Sequence, residues 1–231
     1  MLYADLYLLK PALIDAEQLI RLQSELSPDE YRHWHEIRQP GRQREYLLGR
    51  ILLRRLLAER LGCPPDTLVF RTSEHGKPTL VSHDWQFNLS HSGDWLVLAL
   101  CQQGPLGVDV EMGLHQRPVL PLAQRFYAPE EYQWLLALPS REQTSAFYRL
   151  WSRKEAVLKA QGAGIAAGLD KVRFVPEEEW RLDNRLDSRS YLVLDWHFGS
   201  GWLSLAAPTR QINGYLLDER LKSTPPAPMF S

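Results

Sequence analysis

Asp109 and Glu111 stand two residues apart in Gly107-Val-Asp-Val-Glu111. In a strand, positions i and i+2 share a face, so these carboxylates lie side by side, while Leu106, Val108 and Val110 take the opposite face. Adjacent carboxylates repel and raise each other's proton affinity unless a cation stands between them. A hard oxygen pair of this kind suits Mg²⁺, which takes one or two carboxylates together with substrate phosphates. Further along, residues 146–160 have helical spacing, with Phe147, Leu150, Trp151 and Leu158 on an apolar stripe. Glu155 follows Trp151 by four residues and Lys159 follows Glu155 by four, so all three form one row at the stripe's edge. A carboxylate partly desolvated by a tryptophan gains proton affinity and becomes a better general base.

Two further segments carry chemistry. Phe87-Asn-Leu-Ser-His-Ser-Gly-Asp94 sets His91 between two serines at the end of an apolar strand, a place suited to an anion. It is not a hydrolase triad. No G-x-S-x-G elbow is present, and the adjacent Ser90 and His91 do not readily form the required hydrogen bond. In Arg71-Thr-Ser-Glu-His-Gly-Lys-Pro78, Gly76 lets the backbone turn and Lys77 can offer a point charge to a phosphate. Singly, each segment also has a plainer account: a polar strand face, an exposed Glu–Lys pair, a surface imidazole, a solvated turn lysine. His33 and His35 lack further ligands nearby in the sequence, which argues against zinc there.

The elements that must position these groups are legible from their periods. Leu2 to Leu9 reads as a strand, and Asp15 to Leu26 has helical spacing. Ser27-Pro28-Asp29-Glu30 has the form of a capped helix start, with Ser at N-cap, Pro at N1 and Glu at N3. Gln43 to Leu61 is a helix with leucines at 47, 48, 52, 56 and 57; Gly62 ends it and Pro64-Pro65 prevents its resumption. Strands follow at Leu68–Arg71, Trp85–Leu89, Trp95–Cys101 and Gly107–Glu111. Helical patterns at Leu120–Phe126, Pro129–Leu138 and Ser140–Ala160 come next. Strand patterns close the chain at Val172–Val175, Tyr191–Trp196, Trp202–Ala206 and Ile212–Leu217. Each half thus runs strand, helices, strands. The expectation is an α+β fold in two similar halves, 1–105 and 106–220, with a seam near Gly104-Pro105. Prolines 225, 226 and 228 mark residues 221–231 as a flexible tail.

Composition bounds the function. With 231 residues, 44% hydrophobic and 24% charged, the chain reads as globular. Its 27 basic and 28 acidic residues leave a net charge of -1, against a global nucleic-acid footprint. Cys63 and Cys101 form no C-x-x-C pair, against a zinc ribbon or a disulfide scaffold. No run approaches ~18 uninterrupted apolar residues, and Asp5 meets the start without a basic, then apolar, leader. A cytoplasmic protein without membrane contact is expected.

Taken in order, Gly76-Lys77-Pro78, Phe87-Asn-Leu-Ser-His-Ser92, Gly107-Val-Asp-Val-Glu111 and Trp151-Ser-Arg-Lys-Glu-Ala-Val-Leu-Lys159 closely resemble the Sfp-type 4′-phosphopantetheinyl transferases. The resemblance runs from the Leu47-Leu48-Gly49-Arg50 helix to Gly164. It implies a monomeric pseudo-dimer of two similar α/β subdomains with the active site in the cleft between them. The implied reaction moves the phosphopantetheine arm of coenzyme A to a serine of an apo acyl or peptidyl carrier protein and releases 3′,5′-ADP. Fatty-acid, polyketide and nonribosomal peptide carriers all remain open as partners. By the same resemblance Asp109, Glu111 and Glu155 would bind Mg²⁺, or Mn²⁺ in its place. Glu155 would also act as base and Lys159 would steady the leaving group. Ser90 and His91 would contact the 3′-phosphate, with Asn88 supporting their loop. Arg44, Arg71, His75, Lys77 and Pro78 would be further coenzyme A contacts. Leu120, Leu122, Phe126, Tyr127 and Arg125 would meet the carrier. The chain departs from many relatives where they carry a basic residue just after the Ser-Pro helix start: Glu30, Arg32 and His33 stand there. The residues alone leave two other readings open, another Mg²⁺-dependent phosphoryl-transfer enzyme and a non-catalytic coenzyme A or carrier binder.

Overall fold

A computed structural model describes residues 2–72, 77–81, 83–113, 117–162, 168–175, 180–187, 189 and 191–224. The chain begins with β1 (Ala4–Leu9), α1 (Ala16–Leu22), α2 (Pro28–Glu36) and the long α3 (Pro40–Leu61). Two short strands, β2 (Phe70–Thr72) and β3 (Pro78–Leu80), precede β4 (Trp85–Ser92) and β5 (Trp95–Gln102). The second half repeats that order with β6 (Gly107–Glu111), α4 (Val119–Phe126), α5 (Pro129–Ala137) and the long α6 (Ser140–Gln161). Then come β7 (Val172–Val175), β8 (Arg181–Asn184), β9 (Leu192–Phe198), β10 (Gly201–Ala207) and β11 (Ile212–Leu216). The α+β class is as expected. The two hairpin strands β3 and β8 escaped the pattern, because three and four residues are too few to establish a period of two.

Of the two larger sheets one has the order β11-β1-β5-β4 and the other β6-β10-β9, while β2-β3 and β7-β8 form two-stranded sheets of their own. The last strand therefore leaves the second half and pairs in parallel with β1. The chain boundary drawn at residue 105 does not separate the sheets cleanly. Asp5 explains the attachment: it accepts from Asn213 of β11 at 2.9 Å and from Arg60 of α3 at 2.6 Å, while Tyr7 stacks on Tyr215.

Apolar alternation arranges the layers. Tyr7, Leu9, Leu96, Leu98 and Leu100 face Leu48, Ile51 and Leu52 of α3. The other side of that sheet, with Ala4, Leu6, Leu8, Val97 and Ala99, packs on Val108, Val110, Leu203 and Leu205 of the second. Beyond it, Ala206 joins Phe147, Leu150, Val157 and Leu158 of α6. The result is helix, sheet, sheet, helix. Gly107 permits the last contact: a Cβ there would fall on the Ala156 carbonyl oxygen and the Ala160 amide, so β6 runs against the backbone of α6 itself. Among the described residues no helix is long and apolar enough to cross a membrane.

Each half fastens its short helix to its long one by a buried carboxylate at N3. Ser27 and Glu30 form the capping box read from the sequence. Glu30 then accepts from Arg54 Nε at 2.8 Å and from Arg50. In the second half Glu131 accepts from the Ala128 and Phe174 amides at 2.8 and 2.7 Å and pairs with Lys154 at 2.6 Å. Lys154, fully buried, donates also to the Leu169 and Val172 carbonyls. Its burial pushes the ammonium down to about 8 against the pull of Glu131.

For Glu30, burial acts to raise the carboxyl, but Arg54, Arg50 and the Ser27 amide outweigh it and hold the group below its ordinary value. A depressed carboxyl stabilises the fold above the unfolded value of 4.5 and loses that contribution as pH falls through its folded value. We expect E30Q to cost about 3 kcal/mol at pH 7, because both arginines lose their counter-charge. Urea denaturation at a series of pH values should show the gap to wild type narrowing below pH 4.5. A gap that stays constant would contradict this account.

Candidate functional site

The site forms where α6 crosses β6. Asp109 and Glu111 lie on the β6 face turned to α6, because Gly107, Asp109 and Glu111 alternate with the apolar Val108 and Val110 of the inter-sheet layer. Asp109 is buried. Its Oδ1 accepts from Lys159 Nζ at 2.6 Å and from the Ser90 hydroxyl at 3.1 Å. Lys159 donates to Ser90 Oγ at 3.0 Å and lies 3.9 Å from Glu155 Oε2. Ser152, one turn before Glu155, donates to the Asp109 carbonyl and fixes helix to strand. The structure thus gathers Ser90, Asp109, Glu155 and Lys159, from three elements far apart in sequence.

Negative charge exceeds positive here. Burial, Asp109 and Glu155 push Glu111 up to about 7, against the pull of Lys159 and Arg117. Burial and Asp109 do the same to Glu155, against Lys159 and a hydrogen bond from Trp151. Burial would lower Lys159, but Asp109, Glu155 and Glu111 outweigh it and hold the ammonium charged. Among the described residues no three His, Cys, Asp or Glu side chains are gathered tightly enough to hold an ion as they stand. Yet Asp109 Oδ2 is buried without a hydrogen-bond partner, and two neighbouring carboxylates are strained toward neutrality. That is a donor set whose repulsion a divalent cation would relieve.

The serine motif has a second office. The Gly93-Asp94 turn carries β4 on to Ser92, which opposes Trp95, three residues beyond the expected end at Leu89. Asn88, Ser90 and Ser92 then share one face, and their side chains take the edge amides of β6. Val108 N–H donates to Asn88 Oδ1 at 2.8 Å, Val110 N–H to Ser90 Oγ at 3.3 Å and Met112 N–H to Ser92 Oγ at 2.9 Å. The role of Ser92 was not read from the sequence; the polar i, i+2, i+4 series was its signal. Lys154 was also missed, although it falls in the apolar stripe, seven after Phe147 and four before Leu158.

On the outer side, half-exposed His91 lies 3.3 Å from Glu45 of α3. From there a cavity of about 1120 Å³ runs between α2, α3 and β2–β4, past Tyr46, Arg50, Phe70 and Pro78. Arg50 lies over Phe70, 4.5 Å from the ring centre. Arg71 is exposed on β2. Three expected contacts need revision or fall outside. Arg44 turns away to the Pro11 and Ile14 carbonyls at the 3-10 turn there. The Lys77 ammonium lies on the backbone carbonyls of Leu106, Lys159 and Ala160. His75 lies outside the described residues. On α4, Leu120, Leu122 and Phe126 are half-buried and Arg125 is exposed over Phe126. Tyr127 is core instead: it stacks on Phe147 and donates to the Phe147 carbonyl at 2.8 Å.

Residues 105–207 match the family described as the 4′-phosphopantetheinyl transferase superfamily, and residues 15–103 match one described as 4′-phosphopantetheinyl transferase, N-terminal. The chain is 35% identical over 204 residues to a provisionally named 4′-phosphopantetheinyl transferase, slr0495, of Synechocystis sp., covering 83% of this chain and 82% of that one. It is 41% identical over 145 residues to the 4′-phosphopantetheinyl transferase psf-1 of Bacillus pumilus, covering 62% and 60%. It is 35% identical over 159 residues to the 4′-phosphopantetheinyl transferase Sfp of Bacillus subtilis, covering 68% and 69%.

If the three side chains of β4 hold the sheets in register, N88A strands the Val108 amide of β6 and S92A the Met112 amide just beyond it. Each should lower stability by about 1–3 kcal/mol. Urea denaturation checks this, and unchanged midpoints would mean that the apolar layer alone joins the sheets.

Proposed function

Because the chain belongs to the 4′-phosphopantetheinyl transferase superfamily, we infer that it transfers the phosphopantetheine arm of coenzyme A to a serine of a carrier protein. The observation that carries the reading is the meeting of Asp109, Glu155, Lys159 and Ser90 where the two halves join. In this reading the halves, 1–105 and 106–220, form a pseudo-dimer; the tail expected from residue 221 does not begin there, because Leu221 is buried in the first core and Ser223 bridges to Leu217, and residues 225–231 lie outside the described residues. Support comes from the repeated element order and from the paired N3 carboxylates, Glu30 with Arg54 and Glu131 with Lys154. The chain acts as a monomer, with both halves of the site in one polypeptide, and it works in the cytoplasm.

Asp109, Glu111 and Glu155 would hold Mg²⁺, whose chemistry there is to neutralise charge on the pyrophosphate oxygens of coenzyme A. The serine oxygen of the carrier forms a new bond to the phosphorus that bears the pantetheine arm. The pyrophosphate P–O bond breaks, and 3′,5′-ADP leaves. Glu155 takes the serine proton as a carboxylate set beside the transferring phosphoryl group. Lys159, held charged, steadies the leaving phosphate. His91, at the mouth of the cavity, meets the 3′-phosphate, with Pro78 and Arg71 along the nucleotide; Ser90, expected beside it, is instead buried on the other face of β4 with its hydroxyl taken by Asp109, Val110 and Lys159. His75 belongs to the same stretch. Asn88 acts by holding β4 to β6. The half-exposed apolar face of α4, with Leu120, Leu122, Phe126 and Arg125, receives an acidic, apolar carrier helix.

The test is the intact mass of an apo acyl carrier protein after incubation with this protein, coenzyme A and Mg²⁺. We expect a gain of one phosphopantetheine, abolished by EDTA. E155Q should slow transfer by roughly 10²–10⁴-fold, the worth of a positioned base. No mass gain with carriers of the fatty-acid, polyketide and peptide types would overturn the reading.

A further inference from the structure

Lys77 lies in the first half, yet its ammonium is given to the second. It donates to the Leu106 carbonyl at 3.0 Å, to that of Lys159 at 2.9 Å and to that of Ala160 at 3.4 Å. The last two belong to the final turn of α6, where carbonyls lack helical partners and partial negative charge collects. Gly162 closes that turn at φ 75°, returning its amide to the Leu158 and Lys159 carbonyls at 3.0 and 3.2 Å. A Cβ on Gly162 would touch the Lys77 stem, 3.5 Å from Cδ. Leu106 directly precedes Gly107, where β6 runs against α6. Lys77 therefore fills the angle between the start of β6 and the end of α6. Burial, aided by Arg189, has pushed its ammonium down to about 8, in keeping with a group enclosed by protein.

One residue joins this cap to the chemistry. Lys159 offers its carbonyl to Lys77 and its own ammonium to Asp109 at 2.6 Å and Ser90 at 3.0 Å. A change in the last turn of α6 moves that ammonium directly. We propose that Lys77 is a positioning residue, which caps α6 from the first half and holds Lys159 in register with Asp109. The consequence for catalysis rests on the transferase reading, in which Lys159 steadies the leaving group. The positioning itself does not.

The experiment compares wild type, K77M and K77R as full-length proteins. Reductive methylation followed by peptide mass spectrometry reads the reactivity of the Lys159 amine without any substrate. We expect several-fold faster labelling of Lys159 in K77M and a return toward wild type in K77R, whose guanidinium keeps the donors. Calorimetry gives the Kd for coenzyme A, and carrier modification gives kcat and KM. K77M should lower kcat by about 10²-fold, as displacement of a catalytic group does, with the Kd for coenzyme A little changed. Unchanged Lys159 labelling would overturn the proposal. So would a weaker Kd with kcat intact, since Lys77 would then be a ligand contact. If wild type transfers nothing, the transferase reading fails, and labelling alone decides the positioning. Should K77M not fold, K77Q is read in the same way.

Discussion

Three hydrogen bonds from the backbone of β6 and of Met112, which follows it, to the side chains of β4 set the relation between the two larger sheets. The sheets do not join as one continuous ladder. The Val108, Val110 and Met112 amides are taken instead by Asn88, Ser90 and Ser92. A backbone ladder tolerates nearly any residue; a side-chain ladder demands acceptors of the right length at every second position. The polar run thereby specifies register between halves whose apolar faces alone would permit sliding. Ser90 is used to its full capacity, with its proton on Asp109 and its lone pairs taken by Val110 and Lys159. One hydroxyl thus both aligns the sheets and places the charged groups.

The site then follows from close approach and exclusion of water. Gly107 lets α6 descend onto β6, so Glu155 and Lys159 arrive over Asp109 and Glu111 with little solvent between. Burial disfavours the charged carboxylates and leaves their like charges unscreened, so Glu111 and Glu155 move up to about 7. Opposite charge is felt as strongly, which is why Lys159 keeps its proton despite burial. The rest of the framework keeps this arrangement rigid. Buried ion pairs at equivalent places, Glu30–Arg54 and Glu131–Lys154, brace each long helix. Such pairs add less to stability than they cost to break, and that makes the packing angle hard to alter.

Much of the fold was legible because its signals are local. The capping box at Ser27, the stop at Gly62 and the stripes of α3 and α6 depend on neighbours three or four residues away. The row Trp151, Glu155, Lys159 and the pair Asp109, Glu111 were legible for the same reason: a regular element places them on one face. Their convergence was read by resemblance to a family, not from any spacing between them. Ser92 and Lys154 left signals that were weak beside the more conspicuous histidine and glutamate next to them.

The sequence by itself determined the elements, the faces they present and the kinds of charge on each face. Only the tertiary structure decided where long cationic side chains end. Arg44 and Lys77 look alike in the sequence as phosphate contacts, but both end on backbone carbonyls, one at a 3-10 turn and the other at a helix end. Tyr127 proved to be core, and β11 crossed to the first sheet. The physical reason is common to all four. Periodicity encodes which way a side chain or strand edge points, whereas its partner is whichever unsatisfied group the folded chain brings within about 3 Å.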